Sequence, residues 1–471
     1  MTLASRLVCQ GCGRVVQGLD FACPNAGDGH DHVLVRELDE ARLPFSLQGD
    51  LAFSDRPFLR WRHRLHAYHL GLSRGLSDPA IISKIENLDE AVARIDRRFT
   101  VTPLFRADDI ASILSREAPI YIKDETGHVA GSHKARHLFP VLLALEVMEV
   151  GREVPLAIAS CGNAALAAAV LARAAERPLM VFIPPDADPV VVARLGQLGA
   201  RIQVCTRGGD SRGELELGDP TVAAFQRAVA EGAIPFSCQG HLNGLALEGG
   251  ETLGWEIADQ LAIEQVGLDR VFVQVGGGLL AAALSRGLEQ AVHAGRLGHM
   301  PRIHPVQTSA VAPLARAYDK LLERLVPNCE VPARDRGREY VQAAERRATR
   351  FARELDPLAL AAIVEAAARV RGELMWPWET VGHSAAHGLL DDETYDWLAV
   401  VRAMLKSGGH PLVVDEAEVV GANTLATGTT AIPVDETGSV SLAGLLQLAI
   451  CRVLPARESC LVLFTGRRRV S

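Results

Sequence analysis

The sequence has no surplus of positive charge: 57 acidic against 49 basic residues leave a net charge of −8 over 471 residues. That balance argues against a phosphate backbone as the main partner. It also has no long apolar run. The stretch from Leu156 to Leu171 is interrupted by Ser160, Gly162 and Asn163, short of the roughly 20 clean residues that a bilayer requires. A secretory leader pattern is missing too, since the apolar start from Met1 to Val8 is brief and meets Cys9. These absences lead to the expectation of a cytoplasmic protein whose partner is neither nucleic acid nor membrane. Repeats of fixed period and low-complexity linkers are lacking as well. The nine cysteines are odd in number and six of them are scattered singly, so they read as reduced thiols rather than a disulfide framework.

What is present is an α/β composition, 48% hydrophobic and 23% charged. The chain is too long for one ordinary core, which points to two domains with appendages. Residues 1–35 are rich in Cys, Gly, His and Asp and read as a small stapled appendage. Residues 36–100 show no clean period and read as an arm packing on the body, residues 101–471. In the body, short apolar runs alternate with helix-like stretches: Leu156–Ala159, Leu179–Ile183, Arg201–Cys205, Val271–Val275, Ile303–Gln307, Pro411–Val414 and Cys460–Phe464. Buried strands separated by helices imply parallel βαβ units. The expected fold class is therefore α/β, with two doubly wound parallel sheets and function at the carboxyl ends of their strands. An Arg-, Glu- and Ala-rich segment from about 335 to 372 reads as solvated helix.

Four segments carry chemistry. Lys134, in Gly131-Ser132-His133-Lys134-Ala135-Arg136, precedes a stretch of helical length, Leu138 to Val147. A helix N-terminus there favours a neutral amine and attracts an anion, both useful to an amine that condenses with an aldehyde. Ser160-Cys161-Gly162-Asn163-Ala164 follows an apolar run and opens a helix, offering backbone N–H groups and an amide; a simple helix cap is the competing account. Gly276, Gly277 and Gly278 follow another run and precede Leu279, so their N–H groups can converge on an anion. The spacing matches neither a dinucleotide fingerprint nor a P-loop. Thr465 ends the last run, where its hydroxyl emerges at the sheet edge or simply closes a turn.

In their order these segments resemble the fold type II pyridoxal phosphate enzymes of the tryptophan synthase β superfamily, nearest to the threonine synthase-like members. The resemblance covers roughly residues 100 to 466. It rests on Thr102-Pro103-Leu104, Lys123-Asp124-Glu125, GSHKAR, SCGNAA, LNGLALEGGETLGWEI, VGGGLL, GSVSLAGL and LFTG. It implies a lyase or β-replacement enzyme acting on a small polar or phosphorylated amino acid, a homodimer, and a smaller mobile domain at about 140–245. By the same resemblance Lys134 holds the cofactor and moves the α-proton, while Asn163 bonds the phenolic oxygen. Ser160, Cys161, Gly162, Asn163 and Ala164 clasp the substrate carboxylate. Gly276, Gly277, Gly278 and Leu279 cradle the phosphate, and Thr465 meets the pyridine nitrogen. A hydroxyl there makes the ring a weaker electron sink than a carboxylate would, which suits prompt loss of a β leaving group.

Three departures bear on the substrate. His133 and Ala135 flank the lysine where threonine synthases usually carry Phe and Asp, Leu279 replaces a fourth glycine, and Arg467, Arg468 and Arg469 replace a glycine and acidic continuation. The head, with Cys9, Cys12, Cys23 and either His30 or His32, is either a zinc site resembling the zinc-ribbon-like start of some threonine synthase relatives or a metal-free remnant. His383 and His387, four apart among Trp376, Trp378 and Trp397, read as part of a capping segment rather than a second metal site. Alternatives in function are a serine or threonine dehydratase, a nucleotide-binding dehydrogenase using Gly276–Gly278, and a catalytically silent relative whose head is an interaction module.

Overall fold

The computed structural model describes residues 4–16, 18–40, 43–45, 50–206, 219–325 and 337–469. The head is a three-stranded antiparallel sheet, β1 (Ser5–Cys9), β2 (Val15–Val16) and β3 (Leu34–Leu38), in the order β2-β1-β3. Its inner residues Leu7, Cys9, Leu34 and Val35 are buried. The chain enters the large sheet through β4 (Leu104–Arg106) and β5 (Ile120–Asp124). It leaves for a small sheet made of β6 (Leu156–Ala159), β7 (Leu179–Ile183), β8 (Arg201–Val204) and β9 (Ile234–Pro235). It then returns through β10 (Arg270–Gln274), β11 (Arg302–Thr308), β12 (Leu412–Val414) and β13 (Cys460–Phe464).

The small sheet has the order β8-β7-β6-β9, parallel throughout. The large sheet has the order β12-β11-β10-β13-β5-β4, parallel except for the antiparallel edge β4–β5. Strands such as β5 and β13 are buried on both faces by crossover helices, which is why they read in sequence as short apolar runs instead of alternating ones. The helix Leu245–Glu264 is buried on nearly all sides, as an element lodged inside the body must be. No helix among the described residues is long and apolar enough to cross a membrane.

Every expected strand is present, with shifts of a single residue at some ends. The arm departs from expectation. It contains an 18-residue helix, Asp78–Ile95, whose buried Ile81, Ile85, Leu88 and Val92 follow a regular 4-3-4 spacing. Ser77 caps it by accepting from the Ala80 N–H, with Pro79 in the first turn. The segment read as solvated is also more than that from residue 337 onward. In the helix Arg338–Glu354, Glu345 pairs with Arg270 at 2.8 Å, Arg302 at 2.5 Å and His410 at 3.1 Å, tying that helix to the large sheet.

Candidate active site

Lys134 begins the helix Lys134–Val147, and the backbone before it is tied to the end of β13. Ser132 forms an antiparallel bridge with Gly466, and the His133 N–H donates to the Thr465 carbonyl at 3.4 Å. Ala130 and Gly131 reverse the chain in left-handed conformations, at φ 58° and 70°. Two residues after the lysine, the fully buried Arg136 donates to both Glu125 oxygens, at 3.0 and 3.1 Å. It also reaches Glu256 at 2.5 Å and Thr252 at 2.9 Å. Lys123 Nζ completes the group on Glu256 at 2.9 Å and the Thr102 carbonyl at 2.8 Å. Burial alone would raise the Glu125 carboxyl, but Arg136 beside it holds it well below the usual range. Lys123 is thus consumed by structure, whereas Lys134 is only half-buried.

The glycine loop lies between β10 and the helix Leu279–His293, with Gly278 at φ 97° and Leu279 buried. The segment Asp391–Asp396 is pressed against it. A Cβ on Gly276 would stand 2.4 Å from Asp391 Oδ2, and one on Gly278 2.9 Å from Thr394 Cγ2. Thr394 Oγ1 donates to the Gly276 carbonyl at 3.0 Å and the Asp396 N–H to the Gly277 carbonyl at 2.9 Å. Asp391 Oδ2 thus lies against the backbone of both Gly276 and Gly277. Burial raises the Asp391 carboxyl to about 6 and the Asp396 carboxyl to about 7, each opposed by the charge of Lys134 nearby. The same lysine charge helps hold His133 and His137 below their ordinary value, and Cys238 Sγ lies 3.9 Å from the Lys134 carbonyl oxygen.

Thr465 is buried at the carboxyl end of β13, and its hydroxyl accepts from Gln274 Nε2, which leaves its own proton to donate. The Ser160–Ala164 loop forms an accessible rim after β6: Ser160 N–H bonds the Phe182 carbonyl at 3.2 Å, Cys161 is exposed, and Asn163 starts the helix Asn163–Ala174. Asn163 Oδ1 accepts from Arg469. In the head, ligand atoms of Cys9, Cys12, Cys23 and His32 all lie within 4.8 Å of one another. His32 is buried with Nδ1 3.4 Å from Cys9 Sγ, and its Nε2 is 2.9 Å from Asp28, whereas His30 is exposed. Cys12 and Cys23 sulfurs are 3.7 Å apart. Bonds of about 2.3 Å in a tetrahedral site place sulfurs roughly that far apart, so the set fits zinc.

His383 and His387 do not join a potential ligand group among the described residues. Trp376 and Trp378 instead lie beside Arg316, whose guanidinium is 3.8 and 4.8 Å from their rings. Sequence reasoning missed Arg136, Glu125 and Glu256 as the brace beneath Lys134, although all three stand inside motifs singled out. It also missed Asp391 and Asp396; the run Asp391-Asp392-Glu393 was the available signal.

The family of pyridoxal-phosphate dependent enzymes matches residues 95–374. That span includes Lys134, Asn163 and the glycine loop and leaves out the head, Asp391 and Thr465. Threonine synthase of Methanosarcina acetivorans is 26% identical over 229 residues, 48% of this chain and 52% of the relative. A serine dehydratase-like protein of Mus musculus is 28% identical over 188 residues, 40% of this chain and 52% of its own. The chain therefore spans about half the length of the curated relatives it matches. Among solved structures, maize serine racemase superposes with a TM-score of 0.55 at 18% identity, covering 82% of this chain and 94% of that one. The processed threonine deaminase isoform 2 of Solanum lycopersicum gives 0.55 at 16%, covering 84% and 86%. Those likenesses establish the two-sheet fold, and the match over residues 95–374 establishes more: the chain belongs to the pyridoxal-phosphate dependent enzymes.

Proposed function

We propose that the chain is a pyridoxal phosphate-dependent lyase or β-replacement enzyme for a small polar or phosphorylated amino acid, threonine synthase-like in type. The observation that carries this reading is the grouping of Lys134, the Gly276–Gly278 loop, Asn163 and Thr465 at the carboxyl ends of β13, β10 and β6. The residues fit the cofactor. Three glycines lead into the N-terminus of the helix Leu279–His293, Thr465 has a proton to give a ring nitrogen, and His133 Nε2 is buried without a partner beside the lysine. When bound, the cofactor delocalises the charge that develops at the amino acid's α carbon. The protein supplies the rest. Lys134 would hold the cofactor, and its amine, once displaced by the substrate's amino group, would take the α-proton and return a proton as the leaving group departs. Backbone N–H groups of Ser160 to Ala164 orient the substrate carboxylate, and Gly276, Gly277, Gly278 and Leu279 hold the phosphate at a helix N-terminus. Asn163 donates to the phenolic oxygen.

The dehydrogenase alternative falls with family membership. A serine or threonine dehydratase uses the same constellation and differs in product. Zinc at Cys9, Cys12, Cys23 and His32, a homodimer, a smaller mobile unit at about 140–245 and a cytoplasmic setting belong to the same proposal. The eight described cysteines are free thiols, which suits a reducing compartment.

Borohydride reduction of the purified holoenzyme should bleach its visible band and leave the label on Lys134. Phosphohomoserine, phosphoserine, serine and threonine are then screened for spectral change and for release of phosphate or ammonia. Lys134→Ala should abolish turnover with every responsive substrate; full activity in that variant would defeat the mechanism. Phosphate release supports the threonine synthase-like reading, and ammonia release from serine or threonine supports the dehydratase.

A further inference from the structure

The arginine-rich tail after Thr465 is built into the site. We infer that Arg469 is a positioning residue that fixes the side-chain amide of Asn163, with the tail acting as a strut between the large sheet and the small-sheet unit. This rests on the proposed placement of Asn163 at the cofactor's phenolic oxygen.

Main-chain bonds pin the tail on both sides. Gly466 bridges Ser132, the Arg467 N–H donates to the Gly131 carbonyl at 3.0 Å, and the Arg468 N–H donates to the Pro433 carbonyl at 2.7 Å. The Arg468 side chain is held by Glu436 at 2.7 Å and Asn423 Oδ1 at 2.8 Å. With two successive residues anchored, Arg469 is directed across a groove of about 720 Å³ that the tail shares with Asn163, Leu166 and Pro189. On the far wall its guanidinium donates to Asn163 Oδ1, and its second nitrogen lies 3.7 Å from Asp188 Oδ2. Asp188 is itself fixed, because it caps the helix Pro189–Gln197 by accepting from the Val190 N–H at 2.8 Å.

The chemical consequence follows from the two ends of an amide. An asparagine offers one acceptor oxygen and one donor nitrogen, and a guanidinium has donors only. Arg469 therefore accepts a single orientation of Asn163, with Oδ1 toward the cation and Nδ2 turned away. A flipped amide would set N–H groups against the guanidinium and lose a charge-assisted bond. The orientation that survives presents a donor to an anionic or phenolic oxygen on the other side. Asp188 lies beside Nη1 of the same guanidinium and favours its post. Asn163 is the first residue of the helix Asn163–Ala174, whose N-cap Gly162 has no side-chain bond, and its own side chain has no other bond among the described residues, so the arginine supplies what the turn does not.

The test uses reconstituted full-length holoenzyme and reads cofactor affinity together with the ratio of visible to near-ultraviolet absorbance. Arg469→Ala should weaken cofactor binding about tenfold, the cost of one charge-assisted bond, and move absorbance from the visible to the near-ultraviolet band. Arg469→Lys should restore most of both. In an Asn163→Ala background, Arg469→Ala should add little, because the arginine acts through that amide. Unchanged affinity and spectrum in Arg469→Ala would overturn the inference, and so would fully additive losses in the double variant. A wild-type protein that never develops a cofactor band would instead bring down the proposed function itself. A melting temperature lowered equally by Ala and Lys, with the band ratio unmoved, would reduce the tail to a structural strap and reject the positioning role.

Discussion

Beneath Lys134, two cations and two carboxylates share a site from which water is excluded: Lys123, Arg136, Glu125 and Glu256 all have fully buried side chains. The charges balance, and each carboxylate accepts from more than one donor, which is the condition under which buried ions are tolerated. The cluster ties β5, the helix carrying Lys134 and the helix Leu245–Glu264 to one point. Glu256→Gln keeps the shape and removes one charge, leaving two cations facing Glu125 alone. That substitution should lower stability by about 3–5 kcal/mol, the range for breaking a buried pair, measured as a reduced urea midpoint at unchanged denaturant slope. A loss below about 1 kcal/mol, within the range of exposed pairs, would mean that solvent reaches the cluster. Sequence could not show this partnership. Glu125 and Arg136 are near in the chain, but Glu256 is 120 residues from Arg136, and nothing local declares which acid meets which base.

Among the elements, the head shows how local order can depend on side chains that sequence pattern does not describe. Its strands are short, and β2 has only two residues. Such a sheet has little apolar area of its own, so cross-links carry weight. The head is joined to the body by the Gly244 N–H on the Phe21 carbonyl at 2.8 Å, by the Asp31 N–H on the Ala368 carbonyl at 2.9 Å, and by the buried ion pair Arg36–Glu251. By the zinc proposal, Cys12→Ser should abolish metal content and lower the melting temperature by a few degrees, of the order expected for about 1–2 kcal/mol, while leaving the cofactor band in place. Metal analysis beside a melting scan checks it, and an unchanged melt with unchanged metal content would dismiss the zinc. The body was more legible than the head. β6, β7 and β13 stand where short apolar runs end in glycine, proline or a hydroxyl residue, because strands buried on both faces admit little else. The head strands Ser5–Cys9 and Leu34–Leu38 carry Arg6, Arg36 and Glu37 within them and so gave no run. The glycine loop was legible as glycine. Its contact with Asp391–Asp396 was not, since that segment arrives from more than a hundred residues away.

At the scale of the whole molecule, the response to acid is set by imidazoles. Burial pushes His63, His66, His69, His128 and His241 down to about 4 and His137 to about 3, and holds His133 and His304 well below their ordinary value. In the unfolded chain all of them titrate near 6.5. Below that pH the unfolded state takes up protons that the folded state refuses, so stability falls as pH falls. Eight carboxyls raised by burial work the other way, Asp89, Asp259, Glu418 and Asp435 among them. Burial raises Glu248 and Asp396 to about 7 and Asp31 and Asp391 to about 6, so near pH 5 the folded state keeps protons that the unfolded state has released. The eight imidazoles stay neutral in the folded state through the whole of that window, whereas Asp31 and Asp391 lose their protons within it, so the unfolded state binds the more protons there. The melting temperature should therefore drop steadily from about pH 6.5 to about pH 5, with net proton uptake on unfolding measured by calorimetry in buffers of different ionisation enthalpy. The drop should steepen further below about pH 4.5, where Glu289, held at about 2 by Arg402 and Lys406 against the opposing effect of burial, begins to lose its advantage over the unfolded chain. A melting temperature that stays level or rises between pH 6.5 and 5 would show that the buried acids, and not the histidines, govern the fold's acid limit.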